Sequence, residues 1–180
     1  MAKPQLLMSR PSLADLPPTP ELPDGYTISA CTADDACELA RMLAAAFEDA
    51  SWTVERVNQA LLKADDVLVT FAVRVGETIV ATASLRDMPE YFPGDAYLHW
   101  VGVDPAYRGH RLGSAVSLAV LYEGRKKGCP AAWLETDDFR LPAIKSYLDL
   151  GFVPVIKDEA LGLRWDVVLR QMKVPISPSA

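Results

Sequence analysis

The chain has 180 residues, half of them apolar, and a formal charge of −6. That length suits one well-buried domain and is short for two. The acidic balance excludes a general nucleic-acid surface, which needs Lys and Arg to neutralise phosphates. Three cysteines, Cys31, Cys37 and Cys129, show no paired spacing and only two histidines accompany them, so neither a disulfide framework nor a metal centre is indicated. No apolar run approaches the ~20 residues of a membrane span, and no signal-like leader is present, so the expectation is a cytoplasmic protein without a membrane partner.

Prolines at 4, 11, 17, 18, 20 and 23 remove amide donors from residues 1–24, which predicts an extended tail carrying neither a helix nor a central strand. Its leucines suit packing on the domain or on a second subunit of a homodimer. The domain itself is expected over residues 25–172, with a C-terminal tail over 173–180.

Tyr26 to Ala30 reads as a strand. Thr32 then caps a helix whose Ala36, Ala40, Leu43 and Phe47 share one face, and Ser51 or Thr53 caps a second helix to about Lys63. Val67–Val75 and Thr78–Leu85 flank Gly76-Glu77 as a hairpin. A loop with Pro89, Tyr91, Phe92, Pro93 and Gly94 leads to a strand over Ala96–Val103, in which Gly102 is the expected bulge. Leu112 to about Lys127 is a helix apolar on most sides, closed by Gly128. Ala131–Glu135 is a second central strand, and Pro142 marks the first turn of the next helix, which Gly151 ends. Phe152–Ile156 and Leu163–Leu169 read as the last strands. The order is β-αα-β-β-β-α-β-α-β-β.

The stretch Val101-Gly-Val-Asp-Pro-Ala-Tyr-Arg-Gly-His-Arg-Leu-Gly-Ser114 carries the chemistry. A strand stops at Pro105, passes Arg108-Gly109 and His110-Arg111, and enters a helix near Leu112. Free N–H groups and a partial positive charge at that helix start can hold a phosphate, and Gly109 and Gly113 allow close approach. Arg108, Arg111, Arg125, Lys126 and Lys127 face Glu123 alone in sequence, so the local charge inverts. The last three also suit a helix C-terminus, which leaves Arg108 and Arg111 as phosphate candidates.

At these residues the chain resembles the GNAT superfamily of acyl-CoA-dependent N-acyltransferases, whose signature is a valine-x-proline strand end followed by Arg/Gln-x-x-Gly-x-Gly/Ala. Arg108, Leu112 and Gly113 fit it, while Arg111 stands where the middle glycine is usual. Arg140-Leu-Pro-Ala143-Ile-Lys-Ser-Tyr147-Leu-Asp-Leu-Gly151-Phe152 resembles the second signature, Asn-x-x-Ala-x-x-x-Tyr-x-x-x-Gly-Phe, with Arg140 in place of the asparagine.

The resemblance implies an α/β fold of α+β type. Its mixed, mostly antiparallel central sheet has splayed central strands and helices on both faces. It also implies acetyl-CoA as cosubstrate, bound by the backbone of Val101, Gly102 and Val103, by Arg108 to Ser114 and by Tyr147. The acceptor would be an amine-bearing small molecule or peptide. A competing reading is an acyl-CoA-binding regulatory or scaffold protein with the same fold and no turnover.

Amine acylation needs a base, stabilisation of an oxyanion and a proton for the thiolate leaving group. Tyr147 occupies the family's general-acid position, although an amphipathic helix would also carry it as a core residue. His99, on the central strand, has the right ordinary pKa for a base, and would equally serve as a hydrogen-bonded strand residue. Glu135 is a base or amine-binding anion, or a solvated strand end. A backbone amide within Val101–Val103 would hold the oxyanion, and direct attack is preferred to a cysteine-acyl route.

Overall fold

In a computed structural model the described residues are 3–173, and the stretch 174–180 lies outside them. In chain order the strands are β1 (Leu6–Arg10), β2 (Tyr26–Ala30), β3 (Val67–Val75), β4 (Thr78–Arg86), β5 (Ala96–Val103), β6 (Ala132–Thr136) and β7 (Val153–Pro154). The helices are α1 (Ala36–Phe47), α2 (Val54–Val57), α3 (Leu112–Lys126), α4 (Leu141–Asp149) and α5 (Glu159–Gln171). Thr53 caps α2 by accepting from the Arg56 amide, and the helix continues as a π-turn over Asn58–Leu62.

The sheet order is β2-β3-β4-β5-β6-β1-β7, antiparallel throughout except where β5 meets β6. Both faces are covered. Ala72 and Ile79 pack with Leu39, Leu43 and Val57 of α1 and α2, while their neighbours Val73 and Val80 pack with Val116, Val120 and Leu121 of α3. Because adjacent strand residues point to opposite faces, this double burial explains why β3 and β4 read as apolar runs with poor alternation.

The N-terminal stretch corrects the sequence reading. Pro4 and Pro11 bound a strand instead of preventing one, and β1 runs antiparallel between β6 and β7 with Leu6 and Met8 fully buried. Arg10 at its end is 6% exposed, donates to the Leu150 carbonyl at 2.5 Å and pairs with Asp15. It thereby tops the C-terminus of α4 with positive charge. Gly151 sits there with φ 84°, and a Cβ at that position would collide with the Arg10 guanidinium.

Three further expectations change. Leu163–Leu169 lies in α5 and is not a strand. Asp158 caps α5 by accepting from the Leu161 amide at 2.8 Å, and Leu161, Trp165, Val168 and Met172 recur on the helical period of the packed face. The strand expected over Phe152–Ile156 shrinks to Val153–Pro154, since Pro154 cannot donate to a ladder. The irregularity of β5 falls at Trp100, φ 48°, two residues before Gly102. Gly102 instead admits α1, because a Cβ there would meet Ala46 at 3.2 Å and the Phe47 ring at 3.5 Å.

Candidate active site

Strands β5 and β6 are parallel neighbours joined only at their starts, Ala96 to Ala132 and Tyr97 to Trp133. Beyond those two pairs β5 continues to Val103 and β6 to Thr136 without pairing to each other. The result is a V open towards the strand ends, with the backbone groups of Leu98–Val103 that face β6 left without a strand partner.

Aromatic side chains brace both ends of the β5 arm. At the closed end Phe92 stacks on Trp133 at 4.7 Å and on Tyr97 at 5.6 Å, while the Trp133 indole N–H donates to Asp95 at 2.8 Å. Further along, the extra residue at Trp100 turns its indole against Trp52 at 4.7 Å and Phe47 at 5.5 Å. A bulge re-aims one side chain and ends regular pairing, both of which are seen here.

Past β5 the chain makes a short turn over Pro105–Tyr107. Asp104 fixes it by accepting from the Ala106 amide at 3.0 Å and from Arg41 of α1 at 2.9 Å. Gly109 has φ 91° and Arg111 φ 56°, and α3 begins at Leu112 as the sequence implies. The first helical hydrogen bond is from the Ala115 amide to the Arg111 carbonyl, and no side chain caps the helix. The amides of Leu112, Gly113 and Ser114 are therefore available to an anion. Arg108, Gly109, His110 and Arg111 are all exposed around them. The usual glycine has a clear physical reason: the backbone at Arg111 is left-handed, a conformation that only glycine adopts without penalty.

Tyr147 lies on α4, buried, edge-on to Phe152 at 6.0 Å. Burial pushes its phenol up to about 12, with the positive charge of Arg140 acting the other way. The hydroxyl thus keeps its proton across the neutral range. His99 is held differently. Its Nδ1 accepts from Arg86 at 3.1 Å, and Arg86 also pairs with Asp66. Burial first, then the Arg86 charge, pushes the imidazole down to about 4. The neutral ring therefore carries its proton on Nε2.

Glu135 is exposed on β6 and accepts from the Tyr97 hydroxyl at 3.0 Å, bridging the two arms near the closed end of the V. Burial and the Glu135 charge both push the Tyr97 phenol up. A groove of about 460 Å³, lined by Lys3, Gln5, Leu7, Glu135, Leu161 and Arg164 among others, runs from Glu135 along β1. The structure thus gathers Tyr97, His99 and Glu135 near one end of the cleft, and sets Tyr147 on α4 with Arg140 just before that helix.

The sequence reading did not single out Arg86, Asp66 or the Tyr97 contact. The signal for Arg86 was the hairpin register, which sets it opposite Tyr97.

A model of the Acetyltransferase (GNAT) family matches residues 35–152. The chain belongs to the GNAT acetyltransferase family. It is 31% identical over 169 residues to a mycothiol acetyltransferase of Nocardioides, covering 82% of this chain and 57% of that one. A mycothiol acetyltransferase of Nocardia farcinica is 34% identical over 170 residues, with 87% and 55% covered. The chain spans about half the length of these curated relatives. A GCN5-related N-acetyltransferase from Kribbella flavida shares the fold, with a TM-score of 0.61 at 21% identity over 84% of this chain and 55% of that one. The two departures from the family signatures are Arg111, at the start of α3, and Arg140, just before α4.

Proposed function

We propose that this chain transfers an acetyl group from acetyl-CoA to a primary amine by direct attack. The observation that carries the reading is the V between β5 and β6, which opens beside the uncapped start of α3 and within the same face-to-face packing as α4. A pantetheine arm would complete the unpaired edge of β5, and its pyrophosphate would lie on the amides of Leu112 to Ser114 between Arg108 and Arg111. Mycothiol acetyltransferases as relatives support an amine-like acceptor.

In the reaction the amine nitrogen attacks the thioester carbonyl, and a β5 amide within Val101–Val103 stabilises the oxyanion. Collapse breaks the C–S bond with its electron pair going to sulfur, and Tyr147 supplies the proton to the thiolate. The amine's proton leaves towards Glu135, directly or through water. His99 is a weaker base than its ordinary pKa suggests, because it is buried and Arg86 occupies Nδ1, and it orients the acceptor through its Nε2–H.

A cysteine-acyl route through Cys31 or Cys129 is disfavoured. Burial pushes the Cys31 thiol up to about 12 and raises Cys129 as well, which suppresses the nucleophilic thiolate.

The test is release of free CoA thiol from acetyl-CoA against a panel of primary amines, with the acetylated product identified by mass. Thiol release dependent on one amine class supports the reading. Tight acetyl-CoA binding with no amine-dependent release across the panel favours the scaffold alternative.

A further inference from the structure

Arg140 stands where the family signature has asparagine, and the structure gives it a place that a shorter side chain could not reach. It precedes α4, and its guanidinium lies over the Phe47 ring of α1 at 5.0 Å, with Phe139 at 5.6 Å. The same Phe47 ring rests on Gly102 of β5, where a Cβ would touch it at 3.5 Å. Arg140 therefore spans the open end of the V, from the β6–α4 connection to the far side of β5.

Its hydrogen bonding is one-sided. Nε donates to Asp137 at 3.0 Å, and among the described residues no protein acceptor pairs with its two Nη groups. A guanidinium fixed by one carboxylate and by aromatic faces, with its fork left open, is a preorganised donor to an anion.

We propose that Arg140 is a leaving-group contact in this chain, its Nη donors facing the CoA sulfur as the C–S bond breaks. The inference rests on the acetyl-transfer reading and deepens it. In that reading the thioester carbonyl lies along Val101–Val103, beside Gly102 and the Phe47 ring that the guanidinium covers. The bond's electron pair moves to sulfur, the Arg140 guanidinium stabilises that charge, and the Tyr147 proton then neutralises it. Arg140 stands immediately before α4 and Tyr147 lies on it, and the positive charge of Arg140 acts against the upward push of burial on the Tyr147 phenol. Asp137, which accepts from the Arg140 Nε, offsets part of the guanidinium field. An asparagine there could donate one hydrogen bond but could not supply charge.

The test compares the binding of CoA with that of desulfo-CoA, in which hydrogen replaces the thiol, by calorimetry across the range around a free thiol's pKa of about 8.5. Wild-type protein is expected to prefer CoA increasingly as the thiol ionises. Arg140→Met is expected to lose about tenfold of that preference, the equivalent of about one pKa unit of the bound thiol. Its desulfo-CoA affinity should stay within about twofold of wild type. Arg140→Lys should keep part of the preference.

Equal weakening of both ligands by Arg140→Met would overturn the proposal, since the side chain would then hold the pantetheine arm alone. An unchanged preference would overturn it too. The guanidinium is partly exposed, so these variants should fold; Arg140→Gln provides a second neutral variant, and unfolding midpoints verify all three. Failure of wild type to bind either ligand would sink the acetyl-transfer reading as well. A preserved thiol preference without amine acetylation would leave Arg140's role standing and remove only the acceptor.

Discussion

Arg86 donates to Nδ1 of His99 at 3.1 Å, and that contact together with burial decides what the imidazole can do. With its one basic nitrogen committed and its ring pushed down to about 4, His99 is neutral at physiological pH. Any acidic limb in the rate due to His99 should lie near 4 and not near 6.5. The mutation Arg86→Met should move that limb upwards, measured as kcat/KM against pH with one active amine. A limb that stays in place would assign it to another group.

The same shift has a stability consequence. The unfolded histidine binds a proton below about 6.5, whereas the folded one resists until about 4, so unfolding takes up a proton between those values. Stability from this site is therefore fully present above 6.5 and lost as pH falls towards 4, by at most ~3 kcal/mol. His99→Gln should flatten the denaturant midpoint over that window relative to wild type.

Arg111 carries a left-handed backbone that costs a non-glycine residue ~1–2 kcal/mol. Glycine relieves that strain but gives back part of the gain in unfolded-chain entropy. Arg111→Gly should thus be neutral or stabilising by up to ~1 kcal/mol, while Arg111→Val should destabilise by more. Chemical denaturation checks the pair. In acetyl-CoA titrations Arg111→Gly should also show a shallower dependence on salt, since one phosphate-facing charge is gone.

Arg10 ties the N-terminal strand to the helix of Tyr147. Truncating it leaves the buried Leu150 carbonyl without its donor, and Arg10→Met should cost about 1–3 kcal/mol of stability. Gly151→Ala should cost at least as much, because the new Cβ meets both a positive φ and the Arg10 guanidinium. Urea midpoints on both variants measure this, and no change in either would mean the N-terminal strand is dispensable to α4.

Much of this architecture was legible in the chain. Val67–Val75, Ala96–Val103 and the α3 start at Leu112 stand where apolar runs, turn glycines and the Pro105 stop put them. Local chemistry determines those features. What was hidden depended on distant partners. Pro4 and Pro11 looked like breakers because nothing local reveals that Leu6–Arg10 between them pairs with Ala132–Thr136, far along the chain. The α5 segment has short apolar runs that suit either period, and only the Asp158 cap and the buried Trp165 decide for a helix. Likewise His99 advertises a pKa near 6.5 in sequence, and only its burial and the neighbouring Arg86, both set by tertiary packing, push it down.

The central claim, that Tyr147 protonates the departing thiolate, is tested most directly by Tyr147→Phe. The phenol is buried, keeps its proton at neutral pH, and makes no hydrogen bond to protein among the described residues, so removing its oxygen should leave the core intact. Steady-state kinetics with one active amine should show kcat reduced by about 10²-fold or more, with acetyl-CoA affinity nearly unchanged, as expected for an interaction made in the transition state. Turnover equal to wild type at every pH would contradict the account.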